Sequence, residues 1–132
     1  MTIMTDTLKL AVNGGLMRGF KDNANLLEVN ATFITEAQTQ PIYRFFSIND
    51  RHPAMLRVNT GGQSIAVEVW AVPLAGLGIV LTKEPPGLCI GKIQLSDGEE
   101  VLGVLGESVC CEQGKDITEY GGWRNYLKEI QT

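Results

Sequence analysis

Residues Asp116–Leu127 read DITEYGGWRNYL, and this stretch decides the fold. Two adjacent glycines inside an apolar helical stripe are unusual, since each lowers helix stability by roughly 1 kcal/mol relative to Ala. The pair implies backbone that bends there or passes close to something. Immediately after it, Trp123, Tyr126, Leu127 and Ile130 recur at i, i+3, i+4 and i+7. That spacing is one face of a short helix made to dock on a core, predicted over Gly121 to Ile130. Arg124 stands about 100° around the helix from Trp123, on the flank of the docked face. An apolar plug carrying one fixed cation is therefore placed to close a small cavity.

Outward from this segment, the chain reads as short strands. Fifteen glycines and five prolines are spread through it, as in folds with many turns. Leu8–Val12 (LKLAV), Asn30–Ile34, Ile42–Ile48 and Met55–Val58 are expected strands, with Asn49–Pro53 a loop and Gly61-Gly62 a tight turn. Ile65–Val72 (IAVEVWAV) alternates with both faces largely apolar, so Glu68 on it needs partners. Leu74–Thr82 is expected to be helical, ended by Pro85-Pro86. Ile90–Leu95 and Val101–Val109 are expected to pair across Ser96-Asp97-Gly98, where the Asp-Gly step signals a hairpin. The sum is an α+β chain led by antiparallel strands with a barrel-like curl.

Length and composition bound the function. At 132 residues, 44% apolar and 20% charged, the chain is expected to form one domain over 1–132. The net charge is −4 and there is no basic run, which argues against nucleic acid as a partner and against a cationic membrane-surface helix. No stretch approaches the roughly 20 apolar residues of a membrane span. The opening MTIMTDTLKL lacks the pattern of a signal peptide, so a cytoplasmic location is expected. Cys89, Cys110 and Cys111 are odd in number and form no C-x2-C pair, so free, mostly buried thiols are expected. With a single histidine, His52, no metal site is expected, and no cofactor. A Cys89–His52 nucleophile pair has no support in the spacing.

Four constellations bear on chemistry. Asn13–Gly19 (NGGLMRG) follows a strand and reads either as a turn needing positive φ or as a nest of backbone N–H groups for a carboxylate or phosphate. Glu68 reads either as an internally paired carboxylate or as a group that orients substrate or a neighbouring Arg. Glu84, in Lys83–Leu88 (KEPPGL), reads either as a surface residue or as a carboxyl whose pKa is raised by the end of a helix, as general acid–base work requires. Tyr120–Arg124 reads as helix docking, or as docking plus a carboxylate clamp at Arg124, with Tyr120 beside it.

The blocks Leu10-Ala11-Val12-Asn13-Gly14, Pro41-x-Tyr43-Arg44-Phe45, Val67-Glu68-Val69-Trp70-Ala71-Val72-Pro73, Pro85-Pro86-Gly87-Leu88-Cys89-Ile90-Gly91 and Asp116-Ile117-Thr118-x-Tyr120-Gly121-Gly122-Trp123-Arg124-x-Tyr126-Leu127 resemble the C-terminal domain of allophanate hydrolases. The resemblance covers about Leu8 to Leu127 and is most specific in its last block. It implies a γ-glutamylcyclotransferase-like fold, a small β-barrel with flanking helices. In γ-glutamylcyclotransferases a Tyr-Gly-Ser-Leu turn holds the substrate carboxylate through backbone N–H groups. Asn13-Gly14-Gly15-Leu16 stands in its place without the Tyr and Ser. The catalytic Glu of those enzymes follows the strand that Val67–Val72 resembles, and Glu84 lies near that distance, with Pro85 where Gly is expected.

In allophanate hydrolases this domain follows an amidase domain, which implies handling of N-carboxycarbamate on the way to ammonia and carbon dioxide. With no Ser-rich amidase signature here, the chain is expected to act alone or with a separately encoded amidase. The expected function is therefore an enzyme acting on a compact carboxylated amide or ureido compound. Glu84 is its acid–base residue, and Asn13, Gly14, Gly15, Leu16, Arg124, Tyr120 and Glu68 bind the small-molecule carboxylate substrate. The alternatives are a non-catalytic module that binds an amidase or a metabolite, and a γ-glutamyl cyclotransferase.

Overall fold

A computed structural model describes residues 6–131. The first five residues of the opening segment read above for a leader lie outside the described residues. Strand β1 (Thr7–Val12) is the centre of a five-stranded sheet, because Leu10, Ala11 and Val12 are fully buried and apolar on both faces. It pairs antiparallel with β5 (Ala66–Pro73) and parallel with β7 (Glu100–Gly106). β2 (Thr32–Gln38) lies outside β5, and β6 (Leu88–Gln94) lies outside β7, giving the order β2-β5-β1-β7-β6. The sheet curls until its two edges touch at one end, where Thr39 bridges Leu95 and the Ser96 N–H donates to the Gln38 carbonyl at 2.8 Å. The barrel-like curl is thus present, joined at that end without a closed ladder. The architecture is the expected α+β one, a curled, strand-led core with flanking helices.

A second sheet pairs β3 (Tyr43–Ile48) with β4 (His52–Arg57) and with the short β8 (Lys115–Asp116). Several boundaries differ from expectation for local reasons. The expected loop at 49–53 is only a tight turn. Asn49 and Asp50 both adopt left-handed φ (55° and 57°), as their short polar side chains permit, so β4 begins at His52. Pro53 is tolerated there because β4 is an edge strand. The strand expected at Asn30–Ile34 runs from Thr32 to Gln38 with a bulge between Phe33 and Thr35. Asn30 (φ 63°) instead ends an unforeseen helix, α1 (Asn23–Glu28). The N–H groups of Asn30 and Ala31 donate to the carbonyls of Leu27 and Leu26, a Schellman ending. Past Gly106 the strand expected to reach Val109 gives way to α3 (Ser108–Glu112).

Helix α2 (Leu74–Thr82) forms as expected. Helix α4 begins at Trp123, not Gly121, and runs to Ile130. Gly121 has φ 68°, a conformation that L side chains rarely adopt, and its carbonyl accepts from the Ala66 N–H at 2.8 Å. The glycine pair therefore lets the chain press against the start of β5 before the helix starts. Trp123 and Tyr126 are buried, each contributing roughly 2–3 kcal/mol of apolar burial. Leu127 packs at the edge of the core, whereas Ile130 is exposed in the last turn and does not dock. No helix among the described residues is long and apolar enough to cross a membrane.

Candidate active site

A concavity of ≈ 480 Å³ lies where β1 runs out into the Asn13–Leu16 turn. Glu84 lines it from just past α2, Asp22 from the segment before α1, Arg51 from the β3–β4 turn and His52 from the start of β4. The sequence had brought none of these last three to the site. Gly14 explains the meeting of the turn with β4: a Cβ there would lie 2.5 Å from Pro53 Cδ, so only glycine lets Pro53 seat against the turn. Pro53 carries its neighbours Arg51 and His52 with it. An Asn-Asp step between two apolar strands is a hairpin signal, and it could have placed these residues at the mouth of the sheet.

Positive φ falls at Gly19, outside the cavity. The Asn13 side chain is buried and donates to the Val104 carbonyl at 3.1 Å and toward Met55 Sδ at 3.9 Å, so it fixes the turn. Among the described residues, the N–H groups of Gly14, Gly15 and Leu16 donate to no protein acceptor, while Met17 N–H closes the turn on the Gly14 carbonyl at 3.0 Å. Three open backbone donors at one turn suit an anion.

Glu84 follows the C-terminus of α2, where Lys83 and Glu84 N–H groups cap the Val80 and Leu81 carbonyls. Its carboxyl has no hydrogen-bond or ion-pair partner among the described residues. Burial, and then the negative charge of Asp22, push its pKa up to about 7. It is thus half-protonated near neutrality, which suits a group that gives or takes a proton. Arg51 is exposed and its guanidinium is likewise unpartnered; one ring nitrogen of His52 contacts the Pro53 carbonyl at 3.2 Å.

The structure gathers Asn13, Gly14, Gly15, Leu16 and Glu84 at this cavity, but not the other expected site residues. Glu68 is buried and accepts four hydrogen bonds: from Arg18 N–H (3.0 Å), Arg18 Nε (3.2 Å), Trp70 Nε1 (3.2 Å) and Arg124 Nη2 (2.9 Å). Burial pushes its pKa up, but these bonds, led by that from the Arg18 backbone, hold it below the ordinary value. Arg124 also donates to the Arg18 carbonyl at 2.7 Å and stacks on Phe20. Glu68 and Arg124 line a separate cavity of ≈ 350 Å³. Their geometry is that of a clamp between the end of the Gly-rich turn and α4. Tyr120 lines neither cavity and packs edge-on against Tyr126.

The cysteines are free. Cys111 is buried and the other two are half-buried. Burial raises all three thiol pKa values, that of Cys111 to about 11, so none is primed as a nucleophile. Cys89 contacts the Leu105 carbonyl at 3.6 Å, not His52. Among the described residues no group of three or more His, Cys, Asp or Glu is arranged to hold a metal ion.

A curled five-stranded sheet that opens at one end into a Gly-rich turn, flanked by short helices, is a small α+β domain of the γ-glutamylcyclotransferase-like fold. Comparison with known proteins narrows this. The family model for the allophanate hydrolase C-terminal domain matches residues 8–128, and the chain belongs to that family. Urea amidolyase of Saccharomyces cerevisiae is 31% identical over 137 residues, covering 95% of this chain and 7% of that protein. Allophanate hydrolase of Kluyveromyces lactis superposes with a TM-score of 0.90 at 31% identity, over 96% of this chain and 22% of that one. The crystal structure of c4763, a uropathogenic E. coli-specific protein, gives a TM-score of 0.91 at 51% identity, over 97% and 98% of the two chains. The chain thus spans only 7% of the length of the curated relatives it matches. Solved structures below 25% identity also superpose, which bears on the fold alone.

Proposed function

We propose that this protein is an enzyme of small carboxylated amide or ureido compounds. Within that class its substrate is N-carboxycarbamate, the dianion formed when an amidase removes ammonia from allophanate. The observation that carries the reading is the meeting in one cavity of Glu84, without a hydrogen-bond or ion-pair partner among the described residues, with Gly14–Leu16, whose N–H groups donate to none of them; burial and Asp22 raise the Glu84 pKa to about 7. Family membership, and the larger amidase-bearing relatives that the names urea amidolyase and allophanate hydrolase indicate, support the substrate class.

The chemistry follows from charge. In ⁻O2C–NH–CO2⁻ one C–N bond breaks and its electron pair stays on nitrogen. Glu84 supplies the proton that nitrogen takes, giving carbamate and carbon dioxide, and recovers a proton from water. The carboxylate that is retained keeps its charge throughout, so the backbone donors and Arg51 suit it. The one that leaves as carbon dioxide loses its charge in the transition state. It is better placed against the apolar Leu88, Val104 and Pro85 walls of the same cavity, where less solvation must be shed as the charge disappears. A dianion in the cavity also favours the protonated form of Glu84, which keeps the acid loaded.

The test couples an amidase acting on allophanate to the release of carbon dioxide. Glu84→Gln should slow the decarboxylating step by about a hundredfold or more. Unchanged turnover would sink the catalytic reading and leave a metabolite-binding module. Release of 5-oxoproline from γ-glutamyl compounds would move the substrate to the cyclotransferase class.

A further inference from the structure

The closing segment reaches the cavity from behind. Tyr126 of α4 is a fully buried side chain whose packing against Trp123 and Tyr120 a phenylalanine would supply equally well. Its hydroxyl must therefore be explained separately, since a buried hydroxyl without a partner is costly. It donates to Asp50 Oδ1 at 2.5 Å. The same oxygen accepts from Ser47 Oγ at 2.7 Å, and Ser47 Oγ accepts in turn from the Asp50 N–H at 3.1 Å. Asn49 and Asp50 are the consecutive left-handed residues of the hairpin turn. The Arg51 N–H closes the turn on the Ile48 carbonyl at 3.0 Å. Ile48, Asn49, Arg51 and His52 all line the cavity, whereas Asp50 and Tyr126 do not.

We infer that Tyr126 and Asp50 are positioning residues: the buried hydroxyl grips the back of the Asn49-Asp50 turn so that Arg51 and His52, on its front, are held at the substrate cavity. This rests on the reading of that cavity as the substrate site. Neither residue touches substrate. The pair sets the affinity for an anion by fixing where the Arg51 cation stands, and it makes the closing helix part of the site through one hydrogen bond.

Malonate, in which CH2 replaces the NH of N-carboxycarbamate, is a stable probe. Titrated calorimetrically into the full chain, Tyr126→Phe should weaken malonate binding about tenfold, the scale of one lost hydrogen bond to a charged group. Asp50→Ala should do the same. Asp50→Asn keeps the accepting oxygen for both Tyr126 and Ser47 and should stay within about threefold of the parent. Combined with Arg51→Ala, Tyr126→Phe should add nothing, because the cation it positions is gone. Wild-type affinity in Tyr126→Phe, or an additive double variant, overturns the inference.

Hydrogen exchange at the Arg51 amide is an independent readout. It should quicken in Tyr126→Phe and Asp50→Ala but not in Asp50→Asn, and unchanged exchange overturns the inference even if the variants lose stability. If the unsubstituted protein does not bind malonate, the substrate reading fails, and amide exchange alone then decides whether the turn is held from behind.

Discussion

Two glutamates, Glu68 and Glu84, stand sixteen residues apart in the chain and end in opposite states. Glu68 is buried among four donors and is held ionised. Glu84 has no partner among the described residues, and its proton is held up to about pH 7. Both are partly removed from water, so burial alone does not set the outcome. The number of donors facing the carboxylate does. A carboxylate whose bonds are all made has no capacity left for a ligand and serves the fold. One left without partners raises the energy of its own ionised form and is available for proton transfer.

The largest expected effect tests the first half of that contrast. Glu68→Ala leaves two guanidinium groups and the Trp70 N–H without their shared acceptor. Removing one member of a buried pair costs about 3–5 kcal/mol, and the low end applies because both arginine side chains are near half exposed and can be rehydrated. Urea unfolding should show a loss of about 3 kcal/mol. A loss under about 1 kcal/mol would mean that the clamp holds little.

Next comes the pH dependence of stability, where the two glutamates should pull in opposite directions. Glu84 has a folded pKa raised from 4.5 to about 7, so between those values the folded state binds more protons than the unfolded one. Stability therefore falls as pH rises through that window, and the penalty is complete above it. Glu84→Gln removes the slope. Discounted for the part of the carboxyl that water reaches, it should be about 2 kcal/mol more stable than the parent at pH 8 and equal to it at pH 4. Glu68 is shifted the other way: its contribution is present above pH 4.5 and is lost as pH falls through its lower folded value. Measured against the parent across rising pH, the urea midpoints of the two Gln variants should diverge, Glu84→Gln upward and Glu68→Gln downward. Parallel trends would break the comparison.

A third contrast pits the two arginines against each other. If the cavity takes an anion as proposed, Arg51→Ala should weaken malonate about tenfold with stability little changed, because Arg51 is exposed and has no ion-pair partner among the described residues. Arg124→Ala should cost about 1–2 kcal/mol of stability through its bonds to Glu68 and the Arg18 carbonyl, and leave malonate binding within twofold. The reverse pattern would return Arg124 to the substrate site.

The sequence made much of the fold readable. The period-2 strand at 65–72, the Asp97-Gly98 hairpin and the i, i+3, i+4 face of the closing helix are local signals, and local signals survive folding. Helix α1 was not readable, because its six residues, half of them polar, carry one buried Leu26 and owe their shape to the Asn30 ending. At the site, the Asn13–Leu16 turn and Glu84 were legible from glycine content and from position after a helix. Arg51, His52 and Asp22 were not. They arrive through Pro53 seated on Gly14 and through the α1 loop, contacts between distant segments that leave no period in the chain. The same reason hid the destination of Arg124: its flank position on α4 was readable, but whether it met substrate or Glu68 depended on a strand 56 residues away.

The smallest effect separates the two functions of the closing segment. Gly121→Ala places a side chain where φ is 68° but where the nearest non-local atom, the Ser64 carbonyl oxygen, is still 3.8 Å from the new Cβ. The cost is conformational rather than steric, about 1 kcal/mol. Gly122 has an extended φ of 171° open to any residue, so Gly122→Ala should cost less unless its 3.2 Å approach to Ala66 Cβ cannot relax. Neither change touches the Tyr126–Asp50 bond, so both should leave malonate affinity at the parental level while thermal unfolding reports the loss. Tyr126→Phe should do the opposite. If Gly121→Ala weakened malonate in proportion to its loss of stability, the helix would act on the cavity through its general fit against β5, and the single hydroxyl would no longer explain the coupling.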